Sequence, residues 1–273
     1  MMITCNGVVG MALVLGPLRH RVLEFKVEGS GGALAVLTTL VTLSLVLPTF
    51  TTSSPGKTFT GVQLAFAGIA SLVLYAVFVF VQTVRHRDYF LPPEPDGVPT
   101  EAASPSTAAL DAGGDQHAER PTAATALTSL GLLLVCLVAV VGLAKTVSKP
   151  LEDGVESIGA PLGVVGVAIA LLVLMPETVA AVRAALRNRL QTSLNLALGS
   201  ALASIGLTIP AIAIASIWLE GPLVLGLGAK EMVLWALTVV VSVLTLATGR
   251  ATLLQGAVHL MTFSAFLFLA FTP

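Results

Sequence analysis

Charge is what this sequence has least of: Asp, Glu, Lys and Arg make up 11% of its 273 residues, against about a quarter in globular chains. That shortage excludes an ordinary water-soluble domain. Aromatic residues reach only 5%, and cysteines number two. Cys5 and Cys136 both lie within apolar runs and form no metal-spaced pair, so both read as small core residues. No basic stripe with interleaved aromatics appears, and a net charge of −1 offers a nucleic acid nothing to hold. Ser-His-Asp sets, His-Glu-x-x-His and phosphate loops are missing too. Enzyme chemistry has no carrier here, and no cofactor is implied. The first apolar run starts at Met1 with no charged region ahead of it, so no signal peptide is read.

What the chain does have is hydrocarbon. Apolar residues are 55% of it, with a mean hydropathy of +0.94. They gather in runs at 1–17, 33–48, 61–83, 124–147, 159–182, 194–218, 231–248 and 252–271. Most of these runs reach the roughly 20 helical residues that a bilayer core of about 30 Å requires. The first two are shorter and call for flanking residues or local thinning of the bilayer. Only helices and closed barrels satisfy their backbone in lipid, and the alternation of a barrel is missing. The expected fold class is an all-α integral membrane protein with about eight transmembrane helices.

Residues 88–122 interrupt the runs. They are rich in Pro, Ala, Ser and Thr, and carry Asp88, Glu94, Asp96, Glu101, Asp111, Asp115 and Glu119 against the single base Arg120. Such a composition buries too little apolar surface to order itself, so the segment reads as a solvated acidic linker. If the remaining loops alternate sides, one side receives Arg19, Arg21, Lys26, Arg85, Arg87, Arg120, Arg183, Arg187, Arg189 and Arg250. The other receives only Lys57, Lys145, Lys149 and Lys230. The positive-inside rule places the first, larger set in the cytoplasm.

The chain also repeats itself. Asn6-x-x-x-Gly10-x-Ala12 matches Asn195-x-x-x-Gly199-x-Ala201, and Gly61, Gly68, Leu72, Tyr75, Phe78 and Phe80 match Gly249, Gly256, Leu260, Phe263, Phe266 and Phe268. The first three runs therefore echo the last three. By the charge count, the first run goes inward and its echo outward, which is the inverted repeat of secondary transporters.

The chemistry gathers between Leu174 and Pro210. Pro176-Glu177 closes one apolar run, a basic turn holds Arg183, Arg187 and Arg189, and the next run carries Asn195, Gly199, Ser200, Ser204, Gly206, Thr208 and Pro210. A carboxylate inside a span costs about 2.5–3.5 kcal/mol on insertion scales, which marks a functional site. Pro176 can free the carbonyl of Leu172 beside it, and broken helices build cation sites in this way. A Pro-Glu pair that merely ends a helix at the interface is the competing reading. Asn195 and Asn6 offer amide oxygens to a hard cation, against the plainer reading of an interhelical hydrogen bond worth about 0.6 kcal/mol. Ser200 is a minor candidate, because small residues at this spacing already serve helix packing. His259 reads as a packed histidine. Glu152, Asp153 and Glu156 read as a solvated outer loop.

PETVAAVRAALRNRLQTSLNLALGSALASIGLTIP resembles the second signature repeat of the bacterial calcium/proton antiporters in the cation/calcium exchanger superfamily. NGVVGMALVLGPLRHRVLEFKVEG and QLAFAGIASLVLYAVFVFVQTVRHRDYF resemble its first half. The resemblance implies an eleven-helix inverted-repeat fold of which this chain is an N-terminally shortened remnant. Residues 1–87 would be a partial first repeat of three helices, 88–122 the cytoplasmic linker, and 123–273 a complete second repeat of five helices. It also implies one glutamate per repeat that binds calcium or protons in turn, with Glu177 as the second repeat's glutamate and Asn195 and Asn6 as the paired asparagines. The helix carrying the first repeat's glutamate has no counterpart here. The expected function is antiport of Ca²⁺, with Na⁺ and K⁺ also open, against H⁺ in the bacterial inner (plasma) membrane. The partners expected are these ions and the lipid bilayer, with a homo-oligomer left open. The alternative is a non-transporting or regulatory membrane fragment that needs the missing helices or a partner. A divalent ion taking six to eight oxygens is not expected to cross on Glu177 alone.

Overall fold

A computed structural model describes residues 1–54, 56–92, 123–157, 159, 161, 163–218 and 223–272. The apolar runs fold as helices, since a helix satisfies every backbone group within its own segment. A π-helical turn, Ile3–Val8, leads into α1 (Val9–His20). After strand β1 (Leu23–Glu24) comes α2 (Val27–Val41), extended by a π turn, Thr42–Val46, and a 3₁₀ turn, Leu47–Thr49. Helix α3 (Gly61–Phe80) runs on through a π turn, Val81–Arg85, to a 3₁₀ turn, Arg87–Phe90. Then follow α4 (Ala123–Ser157), α5 (Gly163–Val173), α6 (Met175–Leu186), α7 (Leu190–Ala215) and α8 (Ala229–Leu246). Strand β2 (Arg250–Ala251) and α9 (Leu253–Phe271) close the order.

Among the described residues, five helices are long and apolar enough to cross a membrane, and α5 with α6 would make a sixth as one bent span. The second expected span is not short. Its helix covers Val27–Thr49, because Val27 to Gly32 join the helix although they are less apolar. Many large apolar side chains face outward, as lipid allows. On α3, Val62, Phe66, Ile69, Val73, Val77 and Phe80 form an exposed stripe at helical spacing. The same physics corrects one expectation: Cys5 is buried, but Cys136 is exposed. In hydrocarbon, an apolar side chain has no drive to leave its solvent.

The chain divides into two compact units, which cut across the expected repeats. One comprises Met1–Pro93 and Ala170–Pro273, the other Glu94–Ile169. In the smaller unit, Val155, Val164 and Val165 pack together with Ile169. The larger unit interleaves the repeats, with α3 packed on α7, α1 on α9, α2 on α7 and α1 on α6. Small residues permit the close approaches. A Cβ on Gly206 would lie 2.7 Å from the Tyr75 side chain, and one on Gly256 would lie 2.7 Å from the Leu13 backbone.

The two ends of the larger unit differ in charge. At one end, β1 pairs antiparallel with β2 and the His20 ring bonds the Leu186 carbonyl at 2.8 Å. The Lys26 ammonium donates to the Asp88 carbonyl at 2.7 Å at this same end. These bonds gather the connections holding Arg19, Arg21, Arg85, Arg183, Arg187 and Arg250. At the other end, the Leu225 and Gly226 N–H groups donate to the Lys57 carbonyl, and Lys230 donates to the Leu269 carbonyl. The grouping of loops inferred from the sequence thus holds within this unit. Residues 93–122 lie outside the described residues, so the linker expectation is not addressed there. Its first residues, Asp88 to Phe90, are not a free tether: they form a 3₁₀ turn, and the Phe90 ring meets Phe78 edge-on at 5.9 Å.

Candidate cation site

The site begins at a helix break. Leu174 (φ −85°, ψ 0°) stands between α5 and α6, and the chain bends there by 52°. Pro176 occupies the first turn of α6, where a missing N–H is tolerated, yet it leaves the Leu172 carbonyl without its helical donor. The Leu174 carbonyl takes both the N–H of Thr178, at 2.9 Å, and its hydroxyl, at 2.7 Å.

Glu177 lies in that same first turn. Ala181 and Ala185, one and two turns on, are fully buried in a core with Val8, Val9, Leu194 and Ala197. The stripe of α6 that carries Glu177 is therefore its inward stripe. Oε2 of Glu177 is buried and has no hydrogen-bond partner. An orphaned buried acceptor costs about 1–3 kcal/mol, more if charged, and a proton or a cation would satisfy it. At 1.5 Å per residue, Glu177 is about 14 Å from the helix end at Leu186, roughly half of a bilayer core. Glu177 is thus well removed from the Arg-rich end of α6.

Neither asparagine bonds Glu177. Asn6, fully buried, donates through Nδ2 to Thr238 Oγ1 at 2.9 Å, and its Oδ1 lies 3.1 Å from His259 Nδ1. Thr238 in turn donates to the Leu234 carbonyl at 2.7 Å, so it must accept from Asn6. Nδ1 of His259 then donates to Asn6, which leaves Nε2 to accept from Thr245 Oγ1 at 3.2 Å. Asn195 is bonded elsewhere: its Oδ1 accepts from Gln191 Nε2 at 2.9 Å, and its Nδ2 donates to the Phe90 carbonyl. The Ser200 carbonyl accepts from Ser204 at 2.9 Å. Counted along α6 and α7 from their shared basic turn, Ser200 is about level with Glu177, while Asn195 is about 6 Å nearer that turn. The three expected residues are not joined to one another by hydrogen bonds.

Sequence reasoning left His259 as a lone packed residue and missed Thr238, Thr245 and Gln191. The signals were present. Thr238, Ser242 and Thr245 make a polar stripe on one face of α8, and Gln191 stands one turn before Asn195. A small cavity of about 10 Å³, no more than the room one water needs, lies between Cys5, Leu194, Leu198, Ser242 and His259. Among the described residues, no three His, Cys, Asp or Glu side chains cluster as a metal-binding group.

A helical membrane protein with a half-buried carboxylate at a broken span and polar contacts between its helices is the class that fold and site define. The chain belongs to the sodium/calcium exchanger protein family, whose model matches residues 1–84 and 128–272. It is 49% identical over 272 residues to a protein of Sinorhizobium fredii named "Putative ionic transporter y4hA", covering all of this chain and 70% of that one. It is 31% identical to the "Sodium-potassium/proton antiporter ChaA" of Escherichia coli, covering 99% of this chain and 69% of the relative. The solved structure of native YfkE matches the fold with a TM-score of 0.70 at 15% identity, over all of this chain and 72% of that one.

Proposed function

We infer that the chain is a cation/proton antiporter, with Glu177 as the group that trades a proton for a cation. The orphaned Oε2 at the Leu174 break carries this reading. The family match and the likeness to proteins named as a sodium-potassium/proton antiporter and a Ca²⁺/H⁺ antiporter of Aphanothece halophytica support it. A single carboxylate that accepts either ion couples two fluxes by competition for one charge. Ca²⁺ is the cation we propose, with Na⁺ and K⁺ as its rivals. The helix break and the inverted repeat support alternating access, by rocking of one helix group against another.

The test is proton release from purified chain in weakly buffered detergent on addition of CaCl₂, NaCl or KCl. The expected result is release that Glu177→Gln abolishes. Equal release by the variant overturns the assignment, and the salt that works names the cation.

One observation favours a second reading. Glu177 is not joined by other acids in a metal-binding cluster among the described residues, and one charge poorly offsets the desolvation of a divalent ion. Full exchange would then need an acid from another segment or chain. Vesicles holding this chain separate the two, since coupled exchange by the chain itself removes the second reading.

We also propose an inner-membrane location with the Arg-rich end in the cytoplasm. A cysteine at Asn188, with Cys5 and Cys136 replaced, should resist impermeant thiol reagents applied from outside cells. Strong outside labelling reverses the orientation.

A further inference from the structure

Gln191 is fully buried at the start of α7 and bonds three residues, two at the start of α2 and one on its own helix. Its Oε1 accepts the backbone N–H of Lys26, the residue that opens α2, at 2.7 Å. Its Nε2 donates to Asn195 Oδ1 at 2.9 Å and to Ser30 Oγ at 3.4 Å. The direction of this chain is forced. A backbone N–H only donates, so Gln191 must present its oxygen to Lys26 and its NH₂ to Asn195. Asn195 must then present its oxygen to Gln191, and its own NH₂ falls on the Phe90 carbonyl. The Lys26 N–H at one end and the Phe90 carbonyl, which can only accept, at the other fix both side-chain amides in the same direction.

An amide oxygen has two lone pairs. Gln191 occupies one on Asn195 and leaves the other to a cation, whereas a flipped Asn195 would offer a cation its NH₂. We propose that Gln191 is a positioning residue for cation binding, holding Asn195 with its oxygen available to the ion. This rests on the reading of the chain as a cation transporter with Asn195 beside the ion's path.

The opening segment of α2 and the turn after α3 fit tightly around this lock. A Cβ on Gly29 would collide with the Tyr89 carbonyl, so Gly29 lets the turn approach closely enough for Phe90 to receive Asn195.

The experiment titrates purified chain with CaCl₂ and, separately, NaCl, reading an apparent Kd from the rise in melting temperature. Gln191→Met removes the donor to Asn195. Lys26→Pro removes the N–H that sets the direction, at a residue whose φ of −80° a proline accepts. It is read against Lys26→Ala, which loses the same ammonium bond to Asp88 but keeps the N–H. Gln191→Met and Lys26→Pro should each raise the apparent Kd about tenfold, the scale of one lost buried hydrogen bond. Neither should add to the effect of Asn195→Ala, and Ser30→Ala should leave the Kd unchanged. A normal Kd in folded Gln191→Met or Lys26→Pro protein overturns the proposal, as does a loss that adds fully to that of Asn195→Ala. If Asn195→Ala itself binds normally, Asn195 is not beside the path and the positioning role falls with it. If neither salt stabilises the wild-type chain, the transport reading is what fails.

Discussion

Asn6 and Asn195 hold matching places in the two repeats, yet they live in different surroundings. Asn6 is tied to two other helices, through Thr238 on α8 and His259 on α9. Asn195 is tied to its own helix through Gln191 and to a turn through the Phe90 carbonyl. In the repeat alignment His259 corresponds to Ser71, whose hydroxyl is buried without a partner. Packing register explains the divergence. On α1 and α9, Gly10 lies against Leu260, and Gly256 against Leu13 and Val14. Carried through the repeat, that pairing would set Leu72 beside Gly199. Instead Gly68 meets Pro210 and Gly206 meets Tyr75, which sets Leu72 about nine residues further along α7, a slide of about 13 Å. Ser71 is thereby carried away from Asn195, and the end of α3 is brought to it. A repeat preserves a residue and its place in a helix; the sliding of one helix on another decides its partner.

The largest expected effect separates Glu177 from both asparagines. Glu177→Gln should weaken cation binding by about 100-fold or more, because it removes the charge that would offset a desolvated cation. Asn6→Ala and Asn195→Ala should each lose about tenfold or less. Calorimetric titration checks this, and equal losses at all three would overturn the distinction.

Next come the two crossings. Gly206→Ala and Gly256→Ala should each destabilise the chain by about 1–3 kcal/mol, the usual cost of overpacking. Gly199→Ala, with nothing within 4 Å of its added carbon, should be neutral or slightly stabilising, as glycine is a poor helix former. Denaturation in detergent measures all three. A harmless Gly206→Ala would refute the register of α3 on α7.

The smallest effect tests the two aligned positions against each other. His259→Leu strips the partners from Asn6 Oδ1 and Thr245, and should cost about 1–3 kcal/mol. Ser71→Ala removes a hydroxyl that bonds nothing and should cost almost nothing. Comparable losses would mean that Ser71 has a partner after all.

Much was legible in the residues. The membrane class follows from apolar length, and the grouping of loops by end from the Lys and Arg positions. Glu177 stood out because a carboxylate in hydrocarbon is too costly to keep without a use. The break at Leu174 followed from Pro176, whose ring cannot continue the helix. These are local consequences of composition and backbone chemistry, so a linear sequence carries them.

Other features were settled only by tertiary packing. The sequence divides at its acidic linker, whereas the larger unit draws helices from both sides of it, because α1 with α9 and α3 with α7 bury their faces across the repeats. Asn6 and Asn195 could be named as amides, but not assigned partners, since a hydrogen bond depends on which helix arrives and at what height. Cys136 looked like a core residue and is exposed, as an apolar side chain in lipid has no preferred side. The sequence by itself determined which groups would be in the membrane and which are costly to hold there. The tertiary structure decided which of them meet, because helix register is set by the sum of many small contacts that no single residue announces.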